Sequence, residues 1–381
     1  MATATMAQVA RDLGVSKNTV SLALRHDPQI PAVTRERVLG AARRLGYVLN
    51  PTVSHLMAEL RKSRARGSQH TLALLNAHRS PDALRSHPTI PMYVEGCRRR
   101  AAAQGYGVDA FWLHDAELDG SRLNRILQAR GIRGVIVTGL MDDNCLPERF
   151  AGTWAEHACV VTGVRTRNPT LSFCCVDHHA LVLQAVEQAR RLGYRRPALA
   201  IDERIDRLVE GRFSSGMWVG QQALDPAQRV PSFYQIERSR AQPELFYTWL
   251  KREKPDVIFT LYHLVRRLLE DRGLRVPRDL GLIQLERRRD GEDWAGMEQH
   301  NDLTGEAAVD MVVSLLHNNE RGIPSFPRAM LVAASWVPGA TVRPQLSRPR
   351  RAAGRTRAAA ASRPPSPAPS PRRASRPDRR S

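Results

Sequence analysis

TMAQVARDLGVSKNTVSLAL, from Thr5 to Leu24, is the stretch on whose reading the rest of the chain depends. Two short helical patterns meet at Leu13-Gly14-Val15. Thr5 followed three positions later by Gln8 makes a capping box, in which each side chain accepts a hydrogen bond from a backbone N–H that the helix itself leaves unpaired. Ser16 opens the second helix in the same manner. Met6, Val9, Ala10 and Leu13 fall on one face of the first helix, and Val15, Val20, Ala23 and Leu24 form the facing stripe of the second. Gly14 supplies the corner. An ordinary helical hairpin would share the stripes, but caps, corner and stripes together specify a helix-turn-helix. Lys17, Asn18, Thr19, Ser21 and Leu22 then point away from the small core near the start of the second helix, where such a unit reads base edges.

Immediately downstream, Asp27-Pro28 and Pro31 break the pattern. Val38, Ala41, Ala42 and Leu45 then repeat at helical spacing, which predicts a third helix, capped by Thr34, that closes the mini-core. Arg35, Arg37, Arg43 and Arg44 either lie near phosphates, adding affinity without sequence information, or form a solvated basic face. In residues 50–69, Leu56 and Leu60 stand four apart beside Met57, in a segment too short to hold a helix unaided. A partner or DNA would order it: an apolar residue there can wedge into the minor groove while Arg61, Lys62, Arg64 and Arg66 follow the backbone. Gly67-Ser68 reads as a linker.

Charge is concentrated at the two ends. Of the formal +20, residues 1–66 hold +7 and residues 347–381 hold +10, which leaves about +3 for everything between. A polyanionic partner is expected at the ends and not across the whole surface. From Pro344 to Ser381 the chain is Arg, Pro, Ala and Ser with hardly a bulky apolar side chain, so it cannot offset the entropy of ordering and is expected to be disordered. Its arginines would bind DNA non-specifically or simply keep the chain in solution. The five cysteines, Cys97, Cys145, Cys159, Cys174 and Cys175, lack metal-ligand spacing, and the start carries no export signal, so a reduced, cytoplasmic setting with no metal and no cofactor is expected.

From Thr71 the pattern alternates short apolar runs with helical stretches. Strands are predicted at residues 71–76, 108–113, 134–138, 159–162, 198–201, 257–261 and 281–285, with helices at 92–104, 121–129, 180–192 and 264–272. Such alternation implies parallel sheets covered on both faces, here two side by side with a cleft at the carboxyl ends of the strands.

The run from Thr5 to Leu60 resembles the DNA-binding headpiece of the lactose repressor (LacI/GalR-type) family of transcriptional regulators. That family carries a capped first helix, then GVSxxTVSxxL, then TRERVxxAAxxLGYxxN. Here these stand at Gly14 to Leu24 and Thr34 to Asn50. The resemblance implies base reading by Lys17, Asn18 and Leu22, phosphate contacts by Ser16, Thr19, Ser21, Thr34 and Tyr47, and minor-groove insertion of Leu56 from a hinge helix. Val53-Ser54-His55 departs from the Ala-Arg usual before that leucine.

The body, to about Arg343, is similar to the family's sensor domain, itself like periplasmic sugar-binding proteins. The matching landmarks are Val176-Asp177 with Ala180 to Arg196, then Pro255 to Phe259, and Gly273 to Pro277. His178 replaces an Asn. The Asn-Asp pair that helps bind effector is missing, and Leu261-Tyr262-His263 stands in its place. The resemblance implies effector contacts at Glu286, Arg212, His263 and Trp294, although each of these could equally be a satisfied surface or hinge side chain.

The expected organisation is therefore an all-α helix-turn-helix headpiece (1–49), a hinge helix and linker (50–69), an α/β periplasmic-binding-protein-like body of two parallel-sheet subdomains (70–343) and a disordered basic tail (344–381). Subdomain 1 is placed at about 70–175 plus 295–325 and subdomain 2 at about 176–294 plus 326–343. The expected function is sequence-specific regulation of transcription, as a repressor, by a homodimer on a near-palindromic operator of double-stranded DNA, tuned by a sugar-like effector. A regulator whose pocket has decayed and a solute-binding module are the alternatives. No Gly-rich phosphate loop, HExxH or GxSxG motif points to an enzyme. If the tail adds non-specific affinity, deleting residues 347–381 will flatten the salt dependence of DNA binding; an unchanged slope in a salt titration would make it passive.

Overall fold

The computed structural model describes residues 5–24, 29–47, 70–287 and 293–343. Leu56 and the rest of the expected hinge, and the tail from Pro344, lie outside the described residues.

In the headpiece, α1 (Met6–Leu13), α2 (Lys17–Leu24) and α3 (Ala32–Arg44) surround a core of Val9, Val20, Ala23, Val38 and Ala41. The capping box is present: the Gln8 N–H donates to Thr5 Oγ1 at 3.4 Å and the Thr5 N–H donates to Gln8 Oε1 at 2.7 Å. Gly14 takes φ +65°, a left-handed turn that favours glycine. Ser16 Oγ accepts the Thr19 N–H at 3.0 Å and so starts α2.

Three local expectations change. Thr34 is not the cap of α3, because the helix begins two residues earlier, behind Pro31, whose φ of −55° already suits a helix entry. Leu45 lies just past the last turn and is exposed, while Ile30 joins the core instead. Leu22 packs partly against the core rather than pointing away from it.

The body holds two sheets. The first contains β1 (His70–Asn76), β2 (Tyr106–Trp112), β3 (Gly134–Thr138), β4 (Ala158–Thr162), β5 (Ser172–Val176) and β10 (Ala329–Val332), all parallel, in the order β10-β5-β4-β3-β1-β2. The second contains β6 (Pro197–Ala200), β7 (Val257–Thr260), β8 (Gly281–Gln284), β9 (Gly296–Glu298) and β11 (Ser335–Val337) in the order β11-β9-β8-β7-β6, with only β11 antiparallel. Beyond β6 the sheet is extended by two isolated bridges, Ala200 with Phe233 and Asp202 with Gln235, and the Phe233 N–H donates to Leu199 O at 2.8 Å.

All seven strands expected from the sequence are present, with ends moved by a residue or two. The boundaries between subdomains fall elsewhere than expected. β9, placed by the sequence with the first subdomain, pairs in the second sheet, and β10, placed with the second, pairs in the first. The physical reason is that residues on either side of a crossing are equally apolar and only three or four long, so pairing partner and not pattern decides their sheet.

The principal body helices are α4 (Ile90–Ala103), α5 (Gly120–Ala129), α6 (His178–Arg191), α7 (Arg212–Gln222), α8 (Glu244–Glu253), α9 (Leu264–Asp271) and α10 (Asn301–His317). Apolar clusters lie on both faces of each sheet, as parallel strands require. The chain passes between the sheets three times, after β5, after β9 and between β10 and β11. No helix among the described residues is long and apolar enough to cross a membrane.

Return to the first sheet after β9 is made by α10, which crosses α4 in unusually close contact. A Cβ on Gly96 would sit 1.8 Å from the Asp302 carbonyl oxygen, and one on Gly305 would sit 2.2 Å from that of Tyr93. Around this crossing Arg99 pairs with Asp302 at 2.9 Å and Glu306 at 2.6 Å, and Arg100 with Asp310 at 2.6 Å. Gly96→Ala or Gly305→Ala is expected to destabilise the body by about 1–3 kcal/mol or more, because backbone and not a flexible side chain must give way; urea unfolding of each variant measures this.

Candidate nucleic-acid interface and ligand cleft

On the headpiece, Ser16 and Lys17 are exposed and Thr19 and Ser21 half-buried at the start of α2. Ser16 Oγ and Thr19 Oγ1 are 2.8 Å apart, which holds two of the expected phosphate-contacting hydroxyls together. Asn18 lies in α2, but its side chain is outside the described set. Thr34 and Tyr47 are half-buried, and the Tyr47 ring packs on the mini-core. The basic residues of α3 divide. Arg35 is turned inward, its Nη2 donating to Ile30 O at 2.9 Å, and Arg44 ties α3 to α1 through Asp12 at 3.0 Å. Arg37 and Arg43 remain exposed.

In the body, the chain just past β4 and the end of β5 meet the turn at residues 210–212 that follows β6. Arg165, three residues past β4, approaches the Glu210 carboxylate at 3.6 Å, and Arg212, at the start of α7, approaches the same carboxylate at 3.8 Å. Both guanidinium groups lie near the Phe173 ring, at 5.3 and 5.7 Å from its centroid. Arg212 Nη1 also donates to Cys175 Sγ at 3.5 Å. Burial pushes the Cys175 thiol up to about 11, with Arg212 opposing the shift. On the far side, Asn301 Nδ2 donates to Glu286 Oε1 at 3.2 Å. The buried Tyr93 phenol is pushed well above its usual range, first by burial and then by the charge of Glu286 and the neighbouring Cys175.

His178 lies at the start of α6, only 5 % exposed, with its ring 4.7 Å from that of Phe213. Its Nδ1 is buried and has no hydrogen-bond partner among the described residues. Burial and then the Arg212 charge push it down to about 3, so the ring is neutral near pH 7.

The cleft is held shut by contacts across the two subdomains. Asn144 Nδ2 donates to Arg165 O at 2.6 Å and to Leu208 O at 2.8 Å. Asp142 receives Arg79 at 2.6 Å and Arg204 at 3.1 Å, and the Arg79 contact holds its carboxyl below the usual range. Leu208 inserts into the apolar cluster of the first sheet. The space left among Gly163, Arg165, Phe173, Cys175, His178 and Arg212 is about 10 Å³, no more than a single water needs.

Of the four residues implied for effector contact, Arg212 lines this space, while Glu286 lies outside its lining and accepts a hydrogen bond from Asn301. His263 and Trp294 do not join Arg212 in that role. Trp294 is buried in the apolar layer under α9, with His263 packed on it at 5.0 Å and the Arg266 guanidinium 5.9 Å from its ring. Its faces are committed to the core. Sequence reasoning passed over Arg165 and Glu210. Arg165 follows the end of a strand, which is where ligands of open α/β sheets bind. His179 hydrogen-bonds Ser215 Oγ at 3.0 Å, and no group of three metal-binding side chains occurs among the described residues.

The chain thus combines a helix-turn-helix headpiece with an α/β body of two sheets around a cleft. Residues 5–50 match the family model described as bacterial regulatory proteins, lacI family. Curated relatives include an HTH-type transcriptional regulator of Mycolicibacterium smegmatis, 29% identical over 220 residues, covering 53% of this chain and 57% of that protein. The sucrose operon repressor of Escherichia coli is 29% identical over 198 residues, covering 51% and 54%. The chain thus spans little more than half the length of the curated relatives it matches.

Among solved structures, a complex of the transcriptional regulator CelR with cellobiose has TM-score 0.55 at 19% identity, covering 89% of this chain and 99% of that one. The lac repressor dimer bound to operator and the anti-inducer ONPF has TM-score 0.53 at 17% identity, covering 89% and 99%. At these identities the likeness is one of fold.

The buried His178 has a stability consequence. Its folded value lies below the unfolded value of about 6.5, so the unfolded chain takes up the proton first. Its contribution is fully present above pH 6.5 and is lost as pH falls toward 3, by roughly 1.4 kcal/mol per pH unit. His178→Asn is expected to lessen the fall in stability between pH 7 and pH 5, measured as urea unfolding of both proteins across that range.

Proposed function

We propose that this chain is a sequence-specific DNA-binding transcriptional regulator, a repressor, that binds a near-palindromic operator as a homodimer. The observation that carries this is the capped helix-turn-helix at Thr5–Leu24, within the segment matching the lacI family, with Ser16 and Lys17 presented at the start of its second helix. One headpiece covers only half a site, and two-fold symmetry in protein and DNA is how such modules gain specificity. The family's curated repressors and the fold shared with sugar-bound and operator-bound regulators support this reading.

In the body, a small, sugar-like effector would act in the cleft between the two sheets. It would shift DNA affinity only by its differential affinity for open and closed forms. Arg212, with Glu286 and its partner Asn301, would supply polar contacts to it. The filled cleft supports a second reading, in which the pocket has lost its ligand and the regulator holds DNA without responding.

Binding-site selection from random double-stranded DNA tests the first reading. Replacing Lys17 or Asn18 is expected to change the preferred base by about 1–3 kcal/mol at one position of each half-site. A uniform loss on every sequence would reduce these residues to phosphate contacts, and an absence of any selected site would remove the DNA-reading role.

A further inference from the structure

Two cations in the cleft contact a single carboxylate. Arg165 and Arg212 share one carboxylate, that of Glu210, at 3.6 and 3.8 Å, both longer than a charge-assisted hydrogen bond. The other contacts of the two guanidinium groups are the face of Phe173 and, for Arg212, a thiol sulfur, which is a weak acceptor. His178 beside them is neutral, and its buried Nδ1 has no partner among the described residues. Asp177, the other carboxylate near Cys175 and His178, is engaged as the cap of α6 through the Ala180 N–H. The site is therefore two cations sharing one carboxylate at long range, with an unpartnered ring nitrogen beside them, around a space that the protein's own side chains fill.

Glu210 is carried in a distinctive way. It sits at φ +57°, in the left-handed region that a side chain with a Cβ seldom adopts, directly before Gly211 at φ +74°. The turn that delivers the carboxylate to the two arginines is thus held in a costly conformation. Its side chain is 26% exposed, so water already competes for it.

From this geometry we infer that the cleft takes a small molecule bearing an oxyanion, a carboxylate or a phosphate, whose charge replaces that of Glu210 between Arg165 and Arg212. This rests on the reading of the cleft as the effector site and narrows its ligand from a neutral sugar to an acidic or phosphorylated one. Glu210 is then a tethered competitor. When the ligand anion enters, the carboxylate leaves, its turn is free to relax, and Leu208, two residues earlier, can withdraw from the first sheet's core.

The test uses the full-length protein with inorganic phosphate and with acetate as probes, and glucose as the neutral control, by calorimetric titration at constant ionic strength. Because a tethered carboxylate competes at an effective concentration of roughly millimolar or above, Glu210→Gln is expected to bind one of the two anions at least about tenfold more tightly than the native protein. The preferred anion identifies the ligand's charged group. The gain should vanish in Glu210→Gln with Arg212→Gln. Arg165→Gln in the native background, which leaves Arg212 and Glu210 paired, should lose the anion binding that the native protein has.

Equal anion affinity in the native and Glu210→Gln proteins, both folded by circular dichroism, would overturn the inference, as would a gain for glucose as large as for the anions. DNA binding in the same samples separates the two readings. An anion gain with no effect of anion on DNA affinity keeps the oxyanion site and removes the regulatory reading. Absence of the gain with DNA binding intact removes the site alone.

Discussion

The crossing of α4 and α10 at Gly96 and Gly305 is the contact on which the geometry of the body turns. α10 starts immediately after the second sheet's β9, yet its apolar side belongs to the first sheet. Only backbone at the crossing lets it seat there, because a single methyl group on either glycine would meet a carbonyl oxygen. Tyr93 and Asn301 are carried by these same two helices, so the seat also sets how near Glu286 comes to the phenol. Packing at one side of the first sheet thus fixes the polar arrangement of the cleft.

Closure of the cleft rests on contacts of a different kind. Asp142, Arg79 and Arg204 are each substantially exposed, and exposed ion pairs are worth about 0–1 kcal/mol each. The Asn144 side chain, more deeply placed, spans both subdomains with two hydrogen bonds, and Leu208 adds apolar burial. A latch assembled from several small terms can be released by a ligand of modest affinity.

Much of this was legible in the sequence, for local reasons. The capping box of Thr5 and Gln8, the corner at Gly14 and the stripes of α1 and α2 are properties of neighbouring residues, and they appear as read. The seven strands were also readable as short apolar runs, most of them buried nearly throughout, although the edge strand β2 is only half-buried. Thr34 misled because a proline three residues earlier begins a helix without a side-chain cap. Trp294 misled because a large aromatic near a strand end serves a core as readily as a ligand. The meeting of Arg165 with Glu210 was illegible, since it depends on how two turns from different sheets are brought together. β9 and β10 were illegible for a related reason: their short lengths carry no mark of which sheet they join.

The three passages of the chain between the sheets bear on its biosynthesis. The first sheet lacks its edge until β10 has been made, and the second lacks β11 until residue 337 has been added. The headpiece, by contrast, has its own core within residues 9–42. A ribosome that stalled or stopped inside the body would therefore release a chain whose helix-turn-helix headpiece has a complete core while both sheets of the body lack an edge.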